Sequence, residues 1–579
     1  MRSRFQNDER TLRELSYPTI RLYPEKKACI ICNKKTNLLK TSKKDCYSYN
    51  LGKFRLIEGL SFCKDHKYVA VDPVEILKYH SQFASEIVER RFRVTIDMVV
   101  KVGLLRYRDN RQLEEVKAFL KYGSSRIDLP ISTIGMISKR FLEYCELFHK
   151  KFEYKIKEDI KSNGGFVANF DGTTEKNSGV IAFAVRDSLS GHVLISEKVK
   201  SESYDEVTRI LKKLKSKYGN PLTTISDLKP GFLSATQDSF NKKVPHKFCD
   251  YHFLRTFKGD FVQYHNIIRT CLCTTWKITS GLRKQKKSIQ LSNDKMKNKT
   301  FKNFKDIETF WKSSKNSVKT YRLIIEWISK FKQASSGKGV PFDLPYLDLY
   351  DRLLHAKKLI DSLNPDKEIN KSIREFNVWI EQIKNSRAWN PKFKNSIKML
   401  TFSKRWFTKL RAILMLGSLQ DKQDPLAPLS KKYKLTVEEA TMIPKNIEDF
   451  LDQIETKNSS LKDPAKVEFM LKLRDKIKKY KKNLKIPIIL LEDNGVETTI
   501  LPSRTNNCLE SFFRLIKALL RRNTGRSALT KEFASVGHLL PFYVYMKDHK
   551  TFKSIFEDEK KLTEEFMTLN KGKRSCPKK

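Results

Sequence analysis

The chain has 579 residues, 39% of them hydrophobic, which is long enough for several folded domains and excludes an intrinsically disordered protein. Lysine and arginine total 115 against 66 aspartates and glutamates, and the net charge of +49 is spread over nearly the whole length. Because no run approaches about 18 apolar residues and no apolar leader follows Met1, the charge predicts an intracellular protein that binds nucleic acid rather than a membrane.

Residues 1–71 are interpreted as a zinc-binding module. Two short motifs, Cys-x-x-Cys and Cys-x-x-His, have the spacing that lets both members of a pair reach one tetrahedral ion. Ten cysteines in a chain of this size fit a reducing compartment with a bound metal better than a disulfide framework. We therefore expect structural Zn²⁺ on Cys29, Cys32, Cys63 and His66. Cys46 could replace His66 as the fourth ligand, and reduced thiols without metal are the alternative.

Residues 72–163 have the apolar spacing of helices. One stripe ends at Gly123, and a further helix is predicted from Pro130. Two helices around a glycine turn are typical of a DNA-binding helix-turn-helix, in which Lys139 and Arg140 on the second helix would contact phosphates or a groove. A plain helical bundle has the same periodicity and is the alternative interpretation.

Residues 164–261 have the pattern of a complete α/β unit. Five short apolar runs bounded by turn residues predict strands over 165–171, 180–185, 192–195, 222–227 and 244–249. A helix is predicted from Tyr204 to Tyr218, and a shorter one begins near Pro230. The resulting order, β-β-β-α-β-α-β, is that of a ribonuclease-H-like (RNase H-like) fold, in which the fourth strand returns parallel to the first.

Two of these strands end in aspartate, Asp171 on the first and Asp227 on the fourth. Neighbouring parallel strands bring such carboxylates to one edge of a sheet, where they repel one another and are best stabilised by divalent cations. A pair of these ions can activate a nucleophile and stabilise the leaving oxygen of a phosphodiester. The pattern predicts phosphoryl transfer on nucleic acid, and two unrelated strand-end caps are the alternative.

Residues 262–500 are predicted to form a mainly helical insertion, which contains all six tryptophans. A helix over part of 501–550 would then close the catalytic core. Thr505, Asn506 or Asn507 can cap this helix, so that Glu510 lies in its first turns. An acid followed by a basic helical face suits a metal held beside a phosphate backbone; ordinary Glu-Arg pairing along an exposed helix is the alternative. The basic residues assigned to DNA contact here are Arg504, Arg514, Lys517 and Arg521, and residues 551–579 are predicted to be a basic tail.

These motifs together resemble the catalytic domain of DDE transposases, over 164–261 and 502–526. Asp171, Asp227 and Glu510 match the three acids, and Cys249-Asp250-Tyr251-His252 is similar to the Cys/Asp-x-x-His motif of the Mutator-like, hAT and related prokaryotic insertion-sequence group. The resemblance implies that the three acids bind two Mg²⁺ (or Mn²⁺) ions, which activate water and then a DNA 3′-hydroxyl. Cys249 and His252 would support this site; a second zinc site with Cys271 and Cys273 is the alternative.

The sequence thus predicts a DNA transposase that binds transposon ends and catalyses their cleavage and strand transfer. Its partner would be double-stranded DNA, both the ends and the target, and a homodimer or larger assembly is expected because two ends must be joined. An RNase H-like nuclease or resolvase would use the same acids without needing end-recognition modules. A domesticated, non-catalytic DNA-binding protein is the remaining alternative.

Overall fold

The chain folds as two compact units, a first unit of residues 1–246 with 506–579 and a second unit of residues 247–505. Among the helices described, none is both long and apolar enough to cross a membrane. The computed structural model describes residues 18–29, 31–66, 68–69, 75–76, 79–88, 92–240, 243–291, 304–331, 339–364, 367–385, 390–416, 435–493 and 496–575.

The first unit begins with a small β-sheet that the sequence did not predict. Its strands are β1 (Thr19–Leu22), β2 (Asn37–Ser48) and β3 (Gly52–Phe62), with β3 in the centre, parallel to β1 and antiparallel to β2. The first half of β2 is solvent-exposed on both faces and therefore lacks the apolar alternation that identifies a strand. Two short strands, β4 (Tyr68–Val69) and β5 (Glu75–Ile76), pair with each other.

Five helices follow in the first unit. They are α1 (Gln82–Ile87), α2 (Ile96–Tyr107), α3 (Leu113–Tyr122), α4 (Ile131–Lys151) and α5 (Glu153–Ser162). Residues 123–130 join α3 to α4, which is longer than the three or four residues of a helix-turn-helix turn. Ile127 and Leu129 in this connection are buried, so the connection packs as part of the helical core.

A five-stranded mixed sheet follows, with the predicted order of strands and helices. Its elements are β6 (Val167–Thr174), β7 (Ile181–Asp187), β8 (Val193–Val199), α6 (Tyr204–Tyr218), β9 (Thr223–Ser226), α7 (Pro230–Ser239) and β10 (His246–Phe248). The strand order is β10-β9-β6-β7-β8, with β7 antiparallel to both neighbours and β9 parallel to β6.

Both faces of this sheet are covered by helices, which explains why its strands read as continuous apolar runs. On one face, Phe170 and Phe183 pack with Ile210 of α6 and Phe232 of α7. Side chains of alternate parity, including Ala184, point to the opposite face.

Over the residues that the structure describes, the second unit is helical apart from one hairpin and the end of β10 at Lys247 and Phe248. The hairpin pairs β11 (Ile489–Asp493) with β12 (Val496–Ile500), and a π-helical turn spans Cys271–Thr275. The helices are α8 (Asp250–Arg255), α9 (Lys258–Thr270), α10 (Ile278–Leu291), α11 (Phe304–Ser314), α12 (Ser317–Ser329), α13 (Pro345–Asp361), α14 (Lys367–Asn385), α15 (Asn390–Ile413), α16 (Val437–Ser459) and α17 (Pro464–Leu484).

The chain then returns to the first unit with five helices, two of which, Asn507–Thr524 and Leu540–Asp548, contact the five-stranded sheet. They are α18 (Asn507–Thr524), α19 (Thr530–Val536), α20 (Leu540–Asp548), α21 (Lys553–Glu557) and α22 (Glu559–Ser575). The prediction of a basic tail over 551–579 therefore fails for residues 553–575. Phe566 of α22 is fully buried and its ring centroid lies 5.1 Å from that of Tyr144 in α4. The many charged residues of α22 concealed its apolar stripe in the sequence.

Candidate functional site

Asp171 and Asp227 lie toward the carboxyl ends of two parallel strands of the five-stranded sheet. Asp227 directly follows β9, as predicted, whereas β6 does not end at Asp171 but continues to Thr174. The parallel pairing of β6 with β9 matches Asn169 with Ile225. Asp171 and Asp227 are each two residues beyond that matched pair, so the strands carry them to the same level. Both residues are buried.

Asp171 is surrounded by other charged groups, namely two carboxylates and one lysine ammonium. The pKa of Asp171 is raised to about 7; burial is the largest cause, and the carboxylates of Asp227 and Glu202 contribute in the same direction. The Lys229 ammonium opposes this shift, since it lies 3.3 Å from Oδ1 of Asp171. When burial and neighbouring carboxylates favour the protonated form of an acid in this way, a cation bound between the acids stabilises their ionised form.

Helix α18, which bears Glu510 in its first turn, is bonded to the strand that bears Asp171. The buried Asn506 precedes the first residue of α18, and its side chain donates from Nδ2 to the carbonyl oxygen of Phe170 at 3.1 Å. Its Oδ1 accepts from Nδ2 of Asn169 at 3.3 Å. These two bonds fix the start of α18 beside the residues that directly precede Asp171.

Further contacts hold α18 along the same strand. Lys517 donates to the carbonyl oxygen of Thr174 at 2.6 Å and forms an ion pair with Glu175 at 3.2 Å. Arg521 lies 3.7 Å from the same carboxylate of Glu175. The helix therefore runs along β6 from Asn506 onward, and one of the basic residues assigned to DNA, Lys517, is largely used in this attachment.

The carboxylates of Asp171, Asp227 and Glu510 offer hard oxygen ligands of the type that Mg²⁺ and Mn²⁺ prefer. Among the residues described, however, their oxygen atoms do not all lie within 4.8 Å of one another. Lys229 instead provides the positive charge next to Asp171. The donor chemistry fits divalent cations, and the side chains would have to draw closer around them.

Two residues at this edge were not singled out in the sequence. Glu202, in the connection between β8 and α6, accepts a 2.6 Å hydrogen bond from Lys229, which occupies the N-cap position of α7. Gly172 was the sequence feature that could have indicated a group such as Glu202 here, because a glycine within a strand often marks the close approach of another group. A Cβ atom at Gly172 would lie 2.5 Å from Oε1 of Glu202.

A second cluster brings together the four predicted zinc ligands. The ligand atoms of Cys29, Cys32, Cys63 and His66 all lie within 4.8 Å of one another. Nδ1 of His66 is 3.8 Å from Sγ of both Cys29 and Cys63, and Sγ of Cys32 is 3.6 Å from Sγ of Cys63. A tetrahedron with Zn–S bonds of about 2.3 Å has ligands about 3.8 Å apart. The cluster therefore has the dimensions of a Cys₃His zinc site.

Neighbouring groups support metal binding by this cluster. The hydroxyl of Tyr79 donates to Sγ of Cys29 at 3.3 Å, and this hydrogen bond is the first cause that lowers the pKa of Cys29 to about 6. Zinc binds the thiolate form, which this shift favours. Cys46, the alternative ligand, belongs instead to an apolar cluster with Phe54 and Leu56.

The other residues assigned to DNA contact differ in their surroundings. Lys139 and Arg140 lie on the exposed side of α4 and form ion pairs with Glu143. Arg514 is exposed on α18. The prediction that Arg504 contacts DNA is corrected. Its guanidinium donates to Oδ2 of the buried Asp250 and to the carbonyl oxygen of Met415, both at 3.0 Å. Arg504 therefore stabilises the second unit.

Cys249 and His252 lie at the start of α8, where Cys249 is the buried N-cap residue. The neighbouring Tyr251 stacks on Phe342, with ring centroids 5.0 Å apart. In the described part of the second unit, neither Cys271 nor Cys273 belongs to a cluster with the spacing of a metal site. The second zinc site considered for these cysteines therefore gains no support.

No protein-family model and no curated protein sequence matches the chain. Among solved structures, the chain is weakly similar to the Drosophila P element transposase strand transfer complex, with a TM-score of 0.32 and 12% sequence identity over 80% of this chain and 94% of that chain.

Proposed function

We propose that the chain is a DNA transposase with an RNase H-like catalytic core that works by a DDE mechanism. The single observation that carries this proposal is the attachment of α18 to β6 through Asn506. It brings the helix that bears Glu510 to the strand that bears Asp171, beside the parallel strand that leads to Asp227. We infer from this attachment that the three acids, which are distant in sequence, meet beside one edge of the sheet.

Asp171, Asp227 and Glu510 would hold two Mg²⁺ or Mn²⁺ ions. When bound, such ions activate a water or a DNA 3′-hydroxyl as nucleophile and stabilise the leaving oxygen of the phosphodiester. The remaining steps belong to the chain itself. Asn506 positions the helix of Glu510, and the buried Asp171 and Asp227 would present their carboxylates to the ions.

Binding of double-stranded DNA is proposed from charge. The net charge of +49 favours a polyanion. Arg514 and Arg521 are exposed on α18, the helix that bears Glu510, and would bind phosphates next to a reacting strand. Lys139 and Arg140 would provide a further phosphate contact on α4, and the Cys₃His module would carry structural Zn²⁺. A homodimer or larger assembly is expected, because two transposon ends must be joined.

The test uses the full-length protein with Mg²⁺ or Mn²⁺ and DNA that carries the inverted repeats flanking its coding region. Asp227→Asn should bind these ends with unchanged affinity and lose cleavage and strand transfer, because the amide is a poor ligand for a hard cation. Asp205→Asn is the matched control, since Asp205 is an exposed acid in the first turn of α6 and should leave cleavage unchanged.

Cleavage by Asp227→Asn at the rate of the unmodified protein would exclude the carboxylate mechanism. Cleavage of any DNA without preference for the repeats would favour the nuclease or resolvase interpretation. Binding without cleavage by the unmodified protein would favour the domesticated DNA-binding protein.

A further inference from the structure

Glu202 and Lys229 form a close ion pair at the edge of the sheet where Asp171 lies. Nζ of Lys229 is 2.6 Å from Oε1 of Glu202 and 3.3 Å from Oδ1 of Asp171. The ammonium group therefore bridges two carboxylates and lies nearer to the one that is not among the three predicted acids.

The surrounding backbone is built for this arrangement. Glu202 packs directly over Gly172, and any larger residue at that position would meet its carboxylate at 2.5 Å. Lys229 occupies the N-cap position of α7, and the following Pro230 restricts the backbone there. The Lys229 ammonium also lies 4.9 Å above the ring of Phe232. Its position is thus fixed from several sides and is more specific than that of a lysine on an open surface.

A lysine ammonium and a divalent cation compete for the same carboxylate oxygens. Mg²⁺ binds oxygen at about 2.0–2.1 Å, so an ion on Oδ1 of Asp171 would stand within a few ångströms of the ammonium, which now lies 3.3 Å from that atom. Because both groups are cations in a partly buried site, their repulsion is only weakly screened. The ammonium would have to withdraw toward Glu202.

We propose that Lys229 is a resident cation of the acid site, which a divalent metal ion displaces from Asp171, and that Glu202 is the positioning residue that receives it. This inference rests on the proposed function. Withdrawn to Glu202, the ammonium stays beside the metal site, where a DNA phosphate can bind it. The ion pair thereby keeps the site neutralised until metal and DNA arrive.

The experiment measures Mn²⁺ binding by the zinc-loaded, full-length protein without DNA at about pH 8, by electron paramagnetic resonance of free Mn²⁺. Lys229→Met should lower the Mn²⁺ dissociation constant by about tenfold or more, because the competing cation is gone. Glu202→Gln should raise it by about tenfold, because the ammonium then has only Asp171 as a partner. Lys213→Met is the matched control, since Lys213 pairs with Glu197 on α6 and β8 and should not affect binding.

The opposite signs separate this mechanism from simple loss of structure, which would weaken binding in both variants. Unchanged or weaker binding by Lys229→Met would overturn the inference. Asp171→Asn distinguishes the two proposals, since it should abolish this Mn²⁺ binding. If it does so while Lys229→Met has no effect, the metal site stands and the displacement is wrong; if Asp171→Asn has no effect, both are wrong.

Discussion

Replacement of Asn506 by alanine should loosen the first unit around α18. The side chain is fully buried and makes two hydrogen bonds to β6, at 3.1 Å to the carbonyl oxygen of Phe170 and at 3.3 Å from Asn169. Each bond contributes about 1 kcal/mol net, and a buried polar group left without its partner costs about 1–3 kcal/mol. We therefore expect Asn506→Ala to destabilise the attachment of α18 by about 2–4 kcal/mol.

Hydrogen exchange measured by mass spectrometry on peptides that cover 507–524 reports this attachment. A loss of about 2–4 kcal/mol should speed the exchange of the α18 amides by roughly 30-fold to 1,000-fold if they exchange through local opening. Tryptophan fluorescence provides an internal control, because all six tryptophans belong to residues 247–505 and report the second unit. Ser511→Ala, at an exposed position one turn into the same helix, should leave exchange unchanged.

Exchange in Asn506→Ala within about twofold of the unmodified protein would refute the reasoning, because it would mean that Asn506 does not hold the helix. This outcome is independent of whether the protein cleaves DNA. If the attachment also positions Glu510 for catalysis, cleavage by Asn506→Ala should fall together with α18 protection.

Two further predictions concern the zinc cluster and pH. Cys63→Ser should lose the bound zinc, measured by elemental analysis, whereas Cys46→Ser should keep it because Cys46 lies in a separate apolar cluster; equal zinc contents would contradict the ligand set. Burial lowers the pKa of His149 to about 4 from 6.5, against the opposing effect of its bond to Val193. The unfolded chain therefore binds more protons than the folded chain between these two pKa values. As the pH falls from about 6.5 to about 4, the free energy of unfolding should decrease by roughly 3 kcal/mol. Denaturant unfolding of His149→Gln should show a smaller loss, and an identical pH slope would exclude this origin.

The central sheet could be predicted because its signals are local. Turn residues such as those of 187–191 separate short apolar runs, and the apolar spacing from Tyr204 to Tyr218 gave the helix α6 with its observed bounds. Asp171 and Asp227 lie at the same level of the sheet because their strands are parallel. The parallel direction follows from one further rule, that a strand connected to its neighbour through a helix runs parallel to it. Local pattern and chain topology were therefore sufficient to predict that Asp171 and Asp227 lie at the same level of the sheet.

The attachment of α18 could not be predicted in the same way. The bond between Asn169 and Asn506 joins residues 337 positions apart, and no local pattern carries a contact of that range. Arg504 shows the opposite error, since a basic residue in a basic stretch reads as a DNA contact when its donors are in fact used by Asp250 inside the protein. Glu202 was missed because an acid in a polar connection has no distinguishing neighbours in sequence.

The network around Asp250 has a consequence for the architecture of the second unit. The fully buried ammonium of Lys247, at the first residue of that unit, donates to Asp250 at 2.6 Å, and Asp250 in turn accepts from Arg504, the penultimate residue. The backbone amide of Asp250 also donates to the carbonyl oxygen of Arg504 at 3.1 Å. These contacts hold the beginning and the end of the second unit close together. A unit whose two ends are adjacent can be inserted into another chain, or change in length, without separating the residues on either side of it.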